Sequence, residues 1–172
     1  VTDRNDIEDC VKRFWRSIKQ KRDDISQLAV VAKNVQEAEK VKLVLETRYR
    51  LRCLISTSKH DGDSANLTEF KTGNYDCVIT VNRIIAGWSY NNLTCVLDLA
   101  ASQNINRSFQ LFSRLLRVKN DSAIKSYHRI CLQQNLQREA RFLHKIRSLL
   151  SRETYANYTE SVSKDDGLLE AI

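Results

Sequence analysis

Methionine is absent from all 172 residues, and glycine occurs only at Gly62, Gly73, Gly87 and Gly167. A chain without methionine does not begin at its own start codon, so a piece of a longer protein is expected. None of the four glycines precedes a lysine, and the Gly-x-x-x-x-Gly-Lys-Ser/Thr loop that cradles phosphates is therefore missing. No Asp-Glu pair follows a strand-like run to hold magnesium and orient water. Unaided hydrolysis of a nucleoside triphosphate is thereby excluded. Cys10, Cys53, Cys77, Cys95 and Cys131 form no Cys-x-x-Cys pair and no close Cys/His group, which argues against a zinc site and a disulfide framework. Buried thiols are expected instead, and His60, His128 and His144 show no ligand spacing. No apolar run approaches the roughly 20 residues that cross a bilayer. The opening Val1-Thr-Asp-Arg-Asn5 also lacks the apolar centre of a signal peptide. A soluble, cytoplasmic protein with no membrane partner is expected.

What is present suits a globular domain: 42% of residues are hydrophobic and 28% charged. The net charge of +7 is unevenly spread, since residues 103 to 152 hold 11 Lys/Arg against 2 Asp/Glu. That asymmetry suits a basic face for a polyanion such as nucleic acid. A solvated basic helix surface accounts for the same charges.

Along the chain, Ile7, Val11, Phe14, Trp15 and Ile18 fall at helical spacing, which predicts an amphipathic helix, packed on the domain or part of an upstream linker. A rhythm of short apolar runs and helix-like segments follows. The runs are Leu28 to Ala32, Leu51 to Ile55, Cys77 to Val81 and Cys95 to Leu99; the helices are expected near Val35 to Arg48 and Ser64 to Lys71. Such near-continuous apolar strands alternating with helices predict an α/β fold with a parallel sheet covered on both faces. Residues 124 to 132 suit either a helix or a strand, and a strand is preferred. Leu136, Ala140, Leu143, Ile146 and Leu150 are helically spaced. The acidic segment Glu153 to Ile172 is weakly patterned. The organisation expected is a helix or linker over 1–24, the main α/β lobe over 25–133, and a helical extension with a weakly ordered acidic tail over 134–172.

Ligands of parallel sheets gather at the carboxyl ends of the strands. The segments there are Lys33-Asn34, Ser56-Thr57-Ser58, Thr80 to Arg83 (with Asn82) and Ala100 to Ser102; each taken alone is equally well a plain loop. Further on, Gln110-Leu-Phe-Ser-Arg114-Leu-Leu-Arg117 places two arginines three apart, on one face of a helix. A forked, permanently charged guanidinium suits the charge of a transferring phosphoryl group. A solvated basic helix face is the plainer explanation of this pair in isolation.

Four segments in order resemble the second RecA-like lobe of superfamily 2 helicases and translocases, over roughly residues 27 to 118. Leu28-Ala-Val-Val-Ala-Lys-Asn34 resembles helicase motif IV. Asp63 to Asp76, with its Phe70-Lys-Thr-Gly-Asn-Tyr-Asp76 ending, resembles the short helix that leads into motif V. Val78-Ile-Thr-Val-Asn-Arg-Ile-Ile-Ala-Gly-Trp-Ser89 is similar to motif V, and Gln110-x-x-Ser-Arg114-x-x-Arg117 to motif VI. Ala86, Ser89, Asn91 and Ser113 stand where the family usually has Glu, Asp, Pro and Gly.

The resemblance implies a parent enzyme whose preceding lobe binds ATP and Mg2+, with the present lobe closing on them. Gln110, Arg114 and Arg117 would act as the catalytic, arginine-finger set, with Gly87 and Ser89 also near the nucleotide. Lys33, Asn34, Ser56, Thr57, Ser58, Thr80, Asn82 and Arg83 would grip the nucleic-acid backbone. Gln110, where RNA helicases of the DEAD-box type have His, favours DNA, with RNA possible; the restriction-subunit and phage-type helicases are the branch resembled. Two alternatives stay open. One is a non-catalytic nucleic-acid or protein-binding module with a degenerate lobe fold. The other is a flavodoxin-like domain, which would need acidic residues after the first strand or a glycine-rich turn.

Overall fold

Each of the four apolar runs becomes a four-residue strand in the computed structural model. The structure describes residues 4–18, 27–81, 83, 90, 92–100, 106–108, 110–111, 126–130, 136–152, 160–163 and 168–171. The elements run α1 (Arg4–Ser17), β1 (Leu28–Val31), α2 (Val35–Arg48), β2 (Cys53–Ser56), α3 (Ala65–Phe70), β3 (Cys77–Thr80), β4 (Cys95–Asp98), β5 (Ser126–Ile130), α4 (Leu136–Arg152), β6 (Glu160–Ser163) and β7 (Leu168–Ala171). They form one sheet of order β2-β3-β1-β4-β5-β7-β6. The first five strands are parallel, and β7 and β6 add antiparallel to the edge beyond β5.

This is the α/β sheet expected from the sequence, and the burial pattern gives its cause. All four residues of β1, β3 and β4 are buried, as central parallel strands covered on both faces must be. Alternation then sorts their side chains into two layers. Leu28, Val30, Cys53, Ile55, Cys77, Ile79, Cys95 and Leu97 pack with Val11 and Phe14 of α1 and with Ala38, Val41 and Leu45 of α2. Ala29, Val31, Val78, Val96 and Tyr127 pack with Leu67 and Phe70 of α3 and with Phe142, Leu143 and Ile146 of α4. Among the described residues no helix is long and apolar enough to cross a membrane.

The strand preferred for residues 124 to 132 is present as β5, and both of its faces are covered. His128 lies edge-on to Phe14 with ring centroids 4.9 Å apart, while Tyr127 faces Phe142 on the other side. That two-sided burial explains the ambiguous sequence pattern, because a strand covered twice shows no polar alternation. The acidic tail contributes β6 and β7 in addition to the helix expected before it.

Local chemistry ends the elements where the sheet needs them. Asn34 caps α2 by accepting the Glu37 amide at 2.8 Å. Gly73, at φ 83°, turns the chain out of α3 in a left-handed conformation that costs glycine little. The chain then enters β3 through Asp76, whose carboxylate takes Arg52 Nε at 3.2 Å and Nη2 at 3.1 Å. Burial tends to raise the Asp76 pKa, but the hydrogen bonds and charge of Arg52 outweigh it and the net displacement is downward.

Three of the thiols occupy the first positions of their strands, with Cys53 beside Cys77 in register and Cys95 beyond Leu28. Burial, reinforced by Cys53, pushes the Cys77 thiol well above its ordinary range, which keeps it unreactive.

Candidate functional site

The last residues of the five parallel strands make one row across the sheet. Ser56 pairs with Thr80, Thr80 with Val31, Val31 with Asp98, and Asp98 with Arg129. Four of these five side chains are polar or charged, at the carboxyl edge where parallel sheets collect ligands. All five are buried. Two separate buried ion pairs result, one at each end of the row.

At the β2 end, Asp61 accepts Ser56 Oγ at 2.8 Å and the Asn66 amide at 2.9 Å, both on Oδ2. Its Oδ1 takes Arg83 Nη1 at 2.9 Å, with the two side chains only 6% and 17% exposed. The same nitrogen reaches Ser64 Oγ at 2.8 Å. Ser64 holds a left-handed backbone at φ 61° and makes no side-chain cap on α3, so its hydroxyl is turned to the guanidinium instead. Arg83 thus ties the start of the motif V-like segment to the loop after β2. Because removal of Arg83 leaves a buried carboxylate, Arg83→Ala is expected to cost about 2 kcal/mol of stability. Equilibrium denaturation checks this; a residue serving only as a nucleic-acid contact would leave the denaturation midpoint in place.

In the same loop Thr57 Oγ1 lies 2.6 Å from His60 Nδ1, and Glu39 of α2 receives Lys59 at 2.9 Å and faces His60 Nε2 at 3.2 Å. The hydrogen bond from Lys59 lowers the Glu39 pKa most, against some burial, with the charges of Lys59 and His60 adding to it. Ser58 is exposed, whereas Ser56, Thr57 and Thr80 are buried. Thr80 Oγ1 has no hydrogen-bond partner among the described residues.

After β1, Lys33 and Asn34 are both exposed, and the Glu37 carboxylate reaches back to the Lys33 amide at 3.4 Å. The Asn34 side chain caps a helix at the edge where a backbone phosphate would arrive. Asn34→Ala is therefore expected to lower stability by about 1 kcal/mol. Asn34→Asp, which preserves the cap but brings a negative charge, should retain the stability and weaken nucleic-acid binding, as paired denaturation and binding titrations would show.

At the β5 end, Arg129 Nη1 donates to Asp98 Oδ2 at 3.1 Å and to Ser108 Oγ at 2.7 Å. The Tyr127 hydroxyl donates to the same Asp98 oxygen. Arg129 and Asp98 are 0% and 2% exposed, and the guanidinium carbon sits 4.7 Å above the Phe142 ring. Desolvation first, and then the Asp98 charge, push the Tyr127 pKa well above its ordinary value, so the phenol stays a neutral donor. Ser108 belongs to a helical stretch, Asn106 to Ser108 with Gln110 and Leu111. Lys145 Nζ of α4 reaches Asn106 Oδ1 at 2.6 Å, Leu111 is buried, and Gln110 is exposed.

The sequence-predicted residues divide accordingly. Ser56, Thr80 and Arg83 come together at the β2 end, with Thr57 and Ser58 in the adjoining loop; Lys33 and Asn34 follow the central strand, and Gln110 stands at the opposite end. Asn82, Gly87, Ser89, Arg114 and Arg117 lie outside the described residues. Sequence reasoning missed Asp61, Asp98, Ser108 and Arg129. The one signal for Asp98 was an acid closing the otherwise apolar run Cys95 to Leu97.

No protein-family model and no curated protein sequence matches this chain. Solved structures share its fold. Mss116p DEAD-box helicase domain 2, bound to an RNA duplex, is similar with a TM-score of 0.60 and 17% identity, over 84% of this chain and 55% of that one. Dbp5 of S. cerevisiae, bound to RNA and ADP BeF3, gives 0.62 and 10% identity over 83% of this chain and 37% of that one. The Pyrococcus furiosus Hef helicase domain gives 0.51 and 17% identity over 81% and 28%. The chain therefore spans little more than half of the Mss116p chain and less of the other two. Its fold is that of the C-terminal RecA-like domain of superfamily 2 helicases.

Proposed function

We propose that this chain is the second motor lobe of an ATP-dependent helicase or translocase, acting on DNA, with ATP and Mg2+ held mainly by a preceding lobe of the same protein. The observation that carries the reading is the placing of Gln110. It is exposed, on a helical stretch tied to the carboxyl edge of a helicase-type sheet, and Arg114 and Arg117 follow it in the motif VI-like order. When the two lobes close, Gln110, Arg114 and Arg117 meet the ATP phosphates from across the cleft, with Gly87 and Ser89 near the rest of the nucleotide. The guanidinium groups neutralise charge on the transferring phosphoryl group, which is worth about 10³ to 10⁵ in rate for arginine fingers.

Lys33, Asn34 and Ser58 offer exposed polar groups for the phosphate backbone at the other end of the row, where Asn82 is also expected to contribute. Ser56, Thr57, Thr80 and Arg83 shape that end from beneath. Contacts of this kind read little sequence, as suits a motor that travels over any sequence.

The engagement of Asn34 and Arg83 within the fold, and the burial of Ser56, Thr57 and Thr80, favour the second reading: a nucleic-acid or protein-binding module that kept the lobe fold without nucleotide coupling. ATP hydrolysis by the parent protein, measured alone and with single-stranded DNA or RNA, separates the two. Turnover stimulated more by DNA supports the motor reading as stated; greater stimulation by RNA overturns its substrate assignment; no hydrolysis under any condition leaves the binding module.

A further inference from the structure

Burying an arginine completely is an expensive way to fill space, since a buried ion pair can often be replaced by apolar residues at no loss of stability. Arg129 nevertheless sits at 0% exposure between Asp98, Ser108 and the Phe142 ring. Its geometry is directional. Nη1 carries two hydrogens, and it has one acceptor on the sheet, Asp98, and one on the stretch that leads to Gln110, Ser108. Tyr127 holds the Asp98 carboxylate from the neighbouring position on the same face of β5.

We infer that Asp98, Arg129 and Ser108 are positioning residues that act through Arg114 and Arg117, an inference that rests on the motor-lobe reading above. Ser108 precedes Gln110 by two residues and Arg114 by six in sequence. The stretch is anchored at three places: Asn106 to Lys145 of α4, Ser108 to Arg129 of β5, and Leu111 in the core that also holds Phe142, Leu143 and Ile146. Of these anchors, an apolar contact tolerates sliding and a lysine swings on a flexible stem. Only the Ser108 contact, held by a planar fork already fixed to the sheet, sets both distance and direction. Consecutive side chains on a helix are separated by a turn fraction of about 100°, so a small rotation at Ser108 re-aims everything after it. Misplacement of a catalytic group by about 1 Å costs on the order of 10²-fold in rate.

The test is carried out in the full-length parent protein with ATP and stimulating nucleic acid. Ser108→Ala is expected to lower kcat about tenfold, leave the KM for ATP within about twofold, and leave the protein folded in a melting experiment. Arg129→Lys, which keeps the charge opposite Asp98 but not the fork, is expected to give the same split. In an Arg114→Ala, Arg117→Ala background, Ser108→Ala should have no further effect, since residues acting through one another are non-additive. If Arg114→Ala collapses turnover while Ser108→Ala and Arg129→Lys leave kcat unchanged, the positioning role is wrong and the motor-lobe reading stands. Losses that multiply in the combined variant also overturn the inference, by making Ser108 act independently. If Arg114→Ala and Arg117→Ala leave turnover unchanged, the motor-lobe reading fails and takes the inference with it.

Discussion

Arg114→Ala in the parent protein is expected to lower nucleic-acid-stimulated ATP turnover by about 10³-fold or more, and Arg117→Ala by a comparable factor. The chain supplies no phosphate loop and no paired acids of its own, so what it can give to phosphoryl transfer is charge delivered from across a cleft. A guanidinium does that well because it stays ionised and presents a planar fork of donors. Catalysis gains only from contacts that are stronger in the transition state, so the loss should fall on kcat with the KM for ATP changing much less. Binding of nucleic acid, measured at matched salt, should change little for either variant, because the backbone contacts are assigned to the other end of the strand-edge row. A parallel loss of binding and turnover would instead place these arginines on the nucleic acid.

The second large effect concerns stability. Asp98→Ala is expected to destabilise the lobe by about 4 kcal/mol, since it strands a fully buried guanidinium and removes the acceptor of the Tyr127 hydroxyl as well. Against a total of roughly 5 to 15 kcal/mol for a domain, that loss is severe. Denaturant titration would show it as a lower midpoint with the slope retained. The double variant Asp98→Ala, Arg129→Met removes both charges and should recover much of the loss, because the larger part of the penalty is the unpaired charge rather than the missing bond. A single variant that costs under about 1 kcal/mol would mean that Arg129 finds another partner or reaches solvent.

How far the sequence could be read depended on the range of the interactions involved. Leu28 to Val31 and Cys95 to Leu97 announced strands because both neighbours of each strand bury it, and Val35 to Arg48 announced a helix through local spacing and the cap at Asn34. The two buried ion pairs were out of reach. Asp61 and Arg83 are separated by a helix and a strand, and Asp98 meets Arg129 only because β4 and β5 pair in parallel. Register decides such meetings, and no local pattern encodes register between strands so far apart in the chain.

The same limit changed the meaning of several candidate residues. Ser56, Thr80 and Arg83 were chosen for lying just after strands in motif-like segments, which is where they are. Their burial and their partners follow from packing that the loop sequences do not display. Lys33 and Ser58, by contrast, are exposed, as polar residues at strand ends commonly are. Gln110 was legible from its motif, but its attachment to the sheet came through Ser108, which read as a possible helix cap.

The most direct test of the central claim is photocrosslinking from an ATP analogue with a reactive group on its γ-phosphate, bound to the full-length parent in the presence of nucleic acid and located by mass spectrometry. Label on residues 110 to 117, dependent on nucleic acid and competed by ATP, is the predicted result. Label confined to other parts of the parent, with residues 110 to 117 unmodified while the analogue is bound, would contradict the placing of these arginines at the phosphates.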